Sequence, residues 1–131
     1  MKYVIDSGVF ALFFAGSMSV KKYFNEIFKG LAKGYTLELN IAEFMYNYAK
    51  KFGWETAKAR ASLIRNSRIA VLTLDENLTE KAAKFKLKYR NLLSLVDCYT
   101  AALAEVVKGT ILTTDENLAS IKEVKAVLFK V

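Results

Sequence analysis

The chain has 131 residues, 53% of them hydrophobic, with 20 Lys plus Arg against 13 Asp plus Glu, one cysteine and no histidine. Such a chain is long and apolar enough to bury one core, so a single domain over residues 1–131 is expected, while imidazole-based triads, histidine- or thiolate-bound zinc and internal disulfides are excluded. The formal charge of +7 favours a polyanionic partner, nucleic acid first, with ordinary solubility charge as the competing reading.

Tyr3 to Ile5 reads as a short buried strand that delivers Asp6 at its carboxyl end. This start lacks the basic, apolar and small-residue zones of a signal peptide. With the lone Cys98, that makes the cytoplasm the expected location. Ser7 and Gly8 read as a break, and Val9 to Ala15 as a buried helix or turn. That run is the longest apolar one, well short of the roughly 20 residues of a membrane helix. Ser17 and Ser19 offer N-caps to a helix striped by Val20, Tyr23, Phe24, Ile27, Phe28 and Leu31, with Gly34 as its stop. Tyr35 to Leu39 is the second predicted strand. A helix from about Asn40 then places Ile41, Phe44, Met45, Tyr48 and Phe52 on one side and ends at Gly53. Trp54 to Asn66 follows as a helix with Trp54, Ala57, Ala61 and Ile64 inward.

Ile69 to Thr73 is a third short strand, followed by helices over about Asn77–Arg90 and Leu95–Lys108. The densest basic cluster, Lys81, Lys84, Lys86, Lys88 and Arg90, lies on the first of these and is expected to spread around its circumference. Gly109 precedes the strand Thr110–Thr113, and Ala126–Phe129 is the last strand. Short strands alternating with helices, in a chain without proline, predict a three-layer α/β/α sandwich around a mostly parallel five-stranded sheet. A seven-residue echo, Leu72–Leu78 against Leu112–Leu118, reads as recurring strand-to-helix turn chemistry and not as a duplicated unit.

Ligands of such sheets bind beyond the carboxyl ends of the strands, where the strand order reverses. If the first strand is central, in the order 3-2-1-4-5, Asp6 and Asp115 face each other from strands about 4.8 Å apart and can share one cation. Asp75 ends a strand two places away, roughly 10 Å, and with Asn77 reads as a helix cap. Asn40–Glu43 and Ser94–Asp97 each put an acid three residues after a capping residue. That is the spacing of a capping box, and equally a way for the first turn of a helix to reach the crevice. Asp6, Glu43, Asp97 and Asp115 gathered in one pocket of a basic protein would repel one another and raise their pKa values. A divalent ion relieves that repulsion, and with only oxygen ligands to offer, the chain matches Mg²⁺ or Mn²⁺. Beside phosphate-binding lysines such an ion activates a water for attack on phosphorus.

Val4-Ile5-Asp6-Ser7, Asn40-Ile41-Ala42-Glu43, Ser94-Leu95-Val96-Asp97 and Leu112-Thr113-Thr114-Asp115, in this order and on these elements, resemble the PIN-domain family of ribonucleases. The length is similar to that of its compact prokaryotic members, the VapC-type toxins of toxin–antitoxin pairs. The resemblance implies a Mg²⁺- or Mn²⁺-dependent endoribonuclease, working as a homodimer and held inactive by a cognate antitoxin. It implies that Asp6, Asp97 and Asp115 bind metal, and that Glu43 binds it directly or through water, or helps deprotonate the nucleophile. Ser7, Asn40, Ser94 and Thr113 would support these acids, and the products would carry a 5′-phosphate and a 3′-hydroxyl. Within this reading the rival to a toxin is a housekeeping RNA-processing nuclease. Outside it stand a non-catalytic RNA- or partner-binding module and a receiver-like signalling domain phosphorylated on Asp75. The receiver requires paired acids after the first strand, and only Asp6 is there; a dehalogenase-type phosphatase requires an acid where Gly8 stands.

Overall fold

The computed structural model describes residues 1–131. Its strands are β1 (Lys2–Ile5), β2 (Lys33–Leu37), β3 (Ala70–Leu72), β4 (Thr110–Thr113) and β5 (Ala126–Leu128). Its helices are α1 (Ser7–Phe14), α2 (Met18–Phe28), α3 (Glu38–Phe52), α4 (Trp54–Arg65), α5 (Glu76–Lys88), α6 (Leu95–Val107) and α7 (Glu116–Ala119). The strands form one sheet in the order β3-β2-β1-β4-β5, with every neighbouring pair parallel. A parallel sheet needs cover on both faces, and the period-2 alternation of β1 provides for it. Tyr3 and Ile5 point into the core under α1–α4, whereas Val4 points into the core under α5–α7. The result is the expected α/β/α sandwich with β1 in its centre. No helix is long and apolar enough to cross a membrane.

The apolar run after Asp6 is α1, and its aromatic side chains fix where that helix sits. Phe10, fully buried, packs edge-on against Phe24 of α2 and Phe44 of α3, with ring centroids 5.9 Å away in each case. Burying one such ring contributes about 1.5–3 kcal/mol. Because Phe44 adjoins Glu43, the Phe10–Phe44 contact sets the start of α1 against the middle of α3.

Several boundaries differ from the sequence reading. Ser7 and Gly8 are the first turn of α1 and not a break, because Asp6 accepts the Ser7 N–H at 2.9 Å and caps the helix. The second helix stops at Phe28, and Gly30, at φ 78°, makes the turn, which leaves Leu31 71% exposed. Gly34 lies within β2, where the Ile27 side chain packs onto it. The second strand therefore ends at Leu37, and Glu38 and Leu39 belong to α3. Phe52 and Trp54 are 53% and 57% exposed, because they flank the α3–α4 corner at Gly53 and lie beyond the edge of the core. Phe129 follows β5 instead of ending it, and the one-turn helix α7 is too short for any periodicity to reveal.

Candidate active site

Asp6 leaves β1 at its carboxyl end and enters the sheet ladder through its N–H, which donates to the Leu112 carbonyl of β4 at 3.0 Å. Its side chain is 5% exposed and held at both oxygens. The Thr113 hydroxyl donates to Oδ2 at 2.7 Å, while Oδ1 accepts from Ser7 N–H and, at 3.4 Å, from Asn40 Nδ2. Burial pushes its pKa up to about 6, against the pull of the Thr113 and Ser7 hydrogen bonds, and the Asp97 and Glu43 carboxylates push the same way. A carboxylate in this setting is under-compensated: it has dipolar donors but no positive partner.

Asn40 and Glu43 are not related as cap and capping acid. The N-cap of α3 is Leu37, whose N–H donates to Asn40 Oδ1 at 3.2 Å. Asn40, fully buried, spends its amide on Asp6 and on Thr100 Oγ1, at 3.0 Å from the latter. Glu43 stands a turn further on, free of any capping duty, and accepts a short hydrogen bond from the Ser7 hydroxyl. Thr100 escaped the sequence reading as a site residue. Its signal is a buried hydroxyl three residues after Asp97 on the inward face of α6, bonded back to the Val96 carbonyl at 3.0 Å.

At Ser94–Asp97 the capping box is real: Ser94 Oγ accepts from Asp97 N–H at 3.1 Å, and Asp97 Oδ2 accepts from Ser94 N–H at 3.2 Å. Asp97 nonetheless also faces the acids. Burial raises its pKa first, and after it the Asp115 and Glu43 carboxylates, against the lowering effect of Ser94. Capping and site membership are therefore one geometry here and not alternatives. Asp115 caps α7, its Oδ1 accepting from Asn117 and Leu118 N–H at 2.8 and 3.1 Å, and its own N–H donates to Thr113 Oγ1 at 3.0 Å. The Thr113 hydroxyl thus links the Asp6 carboxylate to the Asp115 backbone and not to its carboxylate, and Asp97 is the acid that feels the Asp115 charge.

The structure brings Asp6, Glu43 and Asp97 within one another's fields and joins Asp115 to them through Asp97. No three of these side chains stand close enough to form a ready coordination group. Asp115 is turned towards α7 and Glu43 is held by Ser7. None of the acids is paired with a base, since the ion pairs are Arg65–Glu38, Lys81–Glu105 and Lys88–Glu123. Hard oxygen donors, a buried carboxyl with a raised pKa and no internal cation together fit a divalent ion.

Asp75 lies outside this group and caps α5, accepting the Leu78 N–H at 2.8 Å. Asp75→Ala is expected to cost about 1 kcal/mol of stability through the lost cap, which thermal melts check. Gly8 is needed for close approach, because a Cβ there would lie 2.4 Å from Thr114 Oγ1. Gly8→Ala should force the Thr114 side chain to move, costing about 1–3 kcal/mol, which a denaturant titration would show. The basic residues of α5 do not form one common face. Lys81, Lys84 and Lys88 share one face of α5, but Lys81 and Lys88 are committed to Glu105 and Glu123, and Lys86 to the Arg90 and Leu93 carbonyls.

The family model described as PIN domain matches residues 3–124. No curated protein matches by sequence. Among solved structures, VapBC2 from Rickettsia felis, bound to a DNA fragment from its promoter, superposes with a TM-score of 0.81 at 13% identity, covering 98% of this chain and 99% of that one. DNA-bound VapBC from Salmonella typhimurium gives 0.77 at 14% identity, covering 97% of each chain. VapC20 from Mycobacterium tuberculosis, a sarcin-ricin loop cleaving toxin, gives 0.73 at 18% identity, covering 94% and 98%. With its ordered acids, its 3-2-1-4-5 parallel sheet and a family match over nearly its whole length, the chain belongs to the PIN-domain family, in the VapC-like form of the fold.

Proposed function

We propose that the protein is a Mg²⁺- or Mn²⁺-dependent endoribonuclease of the cytoplasm and the toxin of a toxin–antitoxin pair, active as a homodimer and inhibited by a cognate antitoxin. The observation that carries the catalytic part is the buried, cation-free Asp6 carboxyl with Asp97 and Glu43 acting on it at the carboxyl edge of β1. Membership of the PIN family and the likeness of the fold to VapBC complexes support the toxin part.

In this reading Asp6, Asp97 and Asp115 hold the ion. Such an ion, when bound, neutralises phosphate charge and acidifies a water molecule. The chain's own groups set the stage. Thr113 and Asn40 fix the Asp6 carboxylate, so its oxygens need no reorganisation when a cation arrives. Ser7 orients Glu43, whose second carboxylate oxygen is left to accept a proton from the nucleophile. Asn40 and Thr100 tie α3 to α6 and so keep Glu43 and Asp97 on the same side of the sheet edge. Incubation with single-stranded RNA should give cleavage in Mg²⁺ or Mn²⁺, none in chelator, and products bearing 5′-phosphates. Cleavage unaffected by chelator would overturn the metal assignment, and RNA left intact under every condition would overturn the nuclease reading. Co-expression with the neighbouring open reading frame separates the toxin, whose growth arrest is then relieved, from a processing enzyme.

A further inference from the structure

A groove of about 250 Å³ between α1 and α3 adjoins the acids through Ser7, whose hydroxyl donates to Glu43. It opens directly from the site, since Ser7 and Gly8 form one end of it. Ala11, Leu12 and Ala15 make the α1 wall, and the C-terminal Val131 lines the groove as well. The α3 wall carries three chemically different groups: the Asn47 amide, the Lys51 ammonium and the Phe52 ring. Phe52 is 53% exposed and lies on Tyr48 with ring centroids 4.5 Å apart and an interplanar angle of 38°. Its inner side is thus braced by a buried ring while the rest of it faces the groove. Such an exposed, supported aromatic is a stacking platform.

Spacing on α3 joins these groups to the chemistry. Glu43, Asn47 and Lys51 recur every four residues, so they lie on one face of the helix. At a rise of 1.5 Å per residue they are separated by about 6 Å per step. A strand laid along this face meets in turn a carboxylate of the acid group, an amide able to pair with a base edge, and a cation. Lys51 takes no part in the ion pairs of the fold, and Asn47 is exposed. The groove is smaller than the ~300–1,000 Å³ of pockets for drug-sized ligands, which suits one flat ring better than a cofactor. Other grooves lack this combination. On the lysine face of α5, two of the three lysines are paired with Glu105 and Glu123, and no exposed ring stands beside Lys84; the slot beside Phe13, Phe28 and Leu63 is almost wholly apolar.

We propose that the α1–α3 groove seats one unpaired nucleobase of the RNA flanking the scissile phosphate, with Phe52 stacking on it, Asn47 reading its edge and Lys51 holding a phosphate further along the strand. This rests on the nuclease reading in naming the scissile phosphate, but the seat itself is tested by binding. The seat restricts substrates to single-stranded or looped RNA, since a base inside a duplex cannot enter the groove.

The test measures binding of a short fluorescent RNA by anisotropy in chelator, where no cleavage occurs, using the full chain and its Phe52→Ala and Asn47→Ala variants. Both positions are exposed, so the variants should fold, and melting curves check that they do. Scanning an abasic position along the RNA should find one place where wild type loses affinity on the order of tenfold. Phe52→Ala should weaken the intact RNA by a similar factor and be indifferent to that abasic position. In Mg²⁺, Asn47→Ala should flatten the base preference at the same position and raise KM while leaving kcat close to wild type. Equal binding of intact and abasic RNA by wild type, or unchanged RNA affinity in Phe52→Ala, overturns the seat even if cleavage proceeds normally. Binding with the expected abasic pattern but without cleavage in Mg²⁺ sustains the seat and sinks the nuclease reading instead. If Phe52→Ala releases a co-purifying protein partner and leaves RNA affinity intact, the groove belongs to that partner and the seat is overturned.

Discussion

Replacing Asp6 by Asn should abolish RNA cleavage and, in the absence of divalent ions, raise the melting temperature. The loss of activity follows from removing the most buried of the acids. Changes to groups that merely support a metal ligand already cost about 10- to 100-fold, so the ligand itself should cost at least a hundredfold in kcat/KM. The gain in stability follows from linkage. The folded pKa of Asp6 is about 6 against an ordinary 3.8, so its ionised form is disfavoured by folding. Native protein holds this proton more tightly than unfolded protein does. Stability from this group is therefore fully present below about pH 4, falls as pH rises through 6, and stays low above that. At pH 7 the penalty is on the order of 2–3 kcal/mol, and Asn does not incur it. Asn also keeps the essential contacts, with its carbonyl accepting from Ser7 N–H and its amide donating to Thr113 Oγ1. Melts in chelator at pH 5 and pH 7 should show wild type losing stability across this interval and the Asn variant losing much less. Addition of Mg²⁺ should raise the melting temperature of wild type alone. An Asn variant that still cleaves would remove Asp6 from the mechanism.

Asp97→Asn should separate chemistry from structure more cleanly than any other substitution. Its side chain has two duties, closing the capping box with Ser94 and facing Asp115 and Glu43. Asn retains the first, because its carbonyl still accepts from Ser94 N–H and its own N–H still reaches Ser94 Oγ. It loses the negative charge that serves the second. Because burial and the Asp115 and Glu43 carboxylates hold the Asp97 pKa above its ordinary value, the expected outcome is a melting temperature at or above wild type at neutral pH in chelator, with cleavage reduced at least a hundredfold. Asp97→Ala would confound the two, since losing the box costs about 1 kcal/mol in addition. Wild-type cleavage rates in Asp97→Asn would leave α6 with a structural role only.

Much of the acid group is legible in the sequence, because its members sit at chain positions that local rules expose. Asp6 and Asp115 each follow an apolar strand, and Asp97 stands three residues after a helix-capping serine. For Glu43 the local spacing leaves two alternatives, a capping acid or an acid reaching the crevice, and the structure removes the first. The Asn40–Glu43 spacing imitates a capping box, but the helix begins at Glu38, and Asn40 is an interior amide tying Asp6 to Thr100. The displaced boundary has a physical origin: β2 ends where its pairing with β1 and β3 ends, at Leu37, and pairing is a long-range property. Gly34 misled in the same way. A glycine after a helical stripe reads as a stop, whereas here it makes room for Ile27 against β2. Trp54 and Phe52 show the converse, large apolar side chains left outside because a helix corner carries them past the core.

By itself the sequence determined the chemistry available: oxygen ligands only, four acids in a fixed order, and a parallel sheet whose alternating strands demand helices on both faces. Those properties are local, read from residue type and from periods of two and three to four residues. Only the tertiary structure decided which acid is buried, which acids act on one another, and what lies beside them. Asp6 owes its raised pKa to burial among elements distant in the chain, and its firmest hydrogen bond comes from Thr113, 107 residues away. Asp115 was placed beside Asp97 and not Asp6 because it caps α7, a helix invisible to pattern. Burial and through-space fields depend on the packing of the whole chain, so no window of sequence can report them.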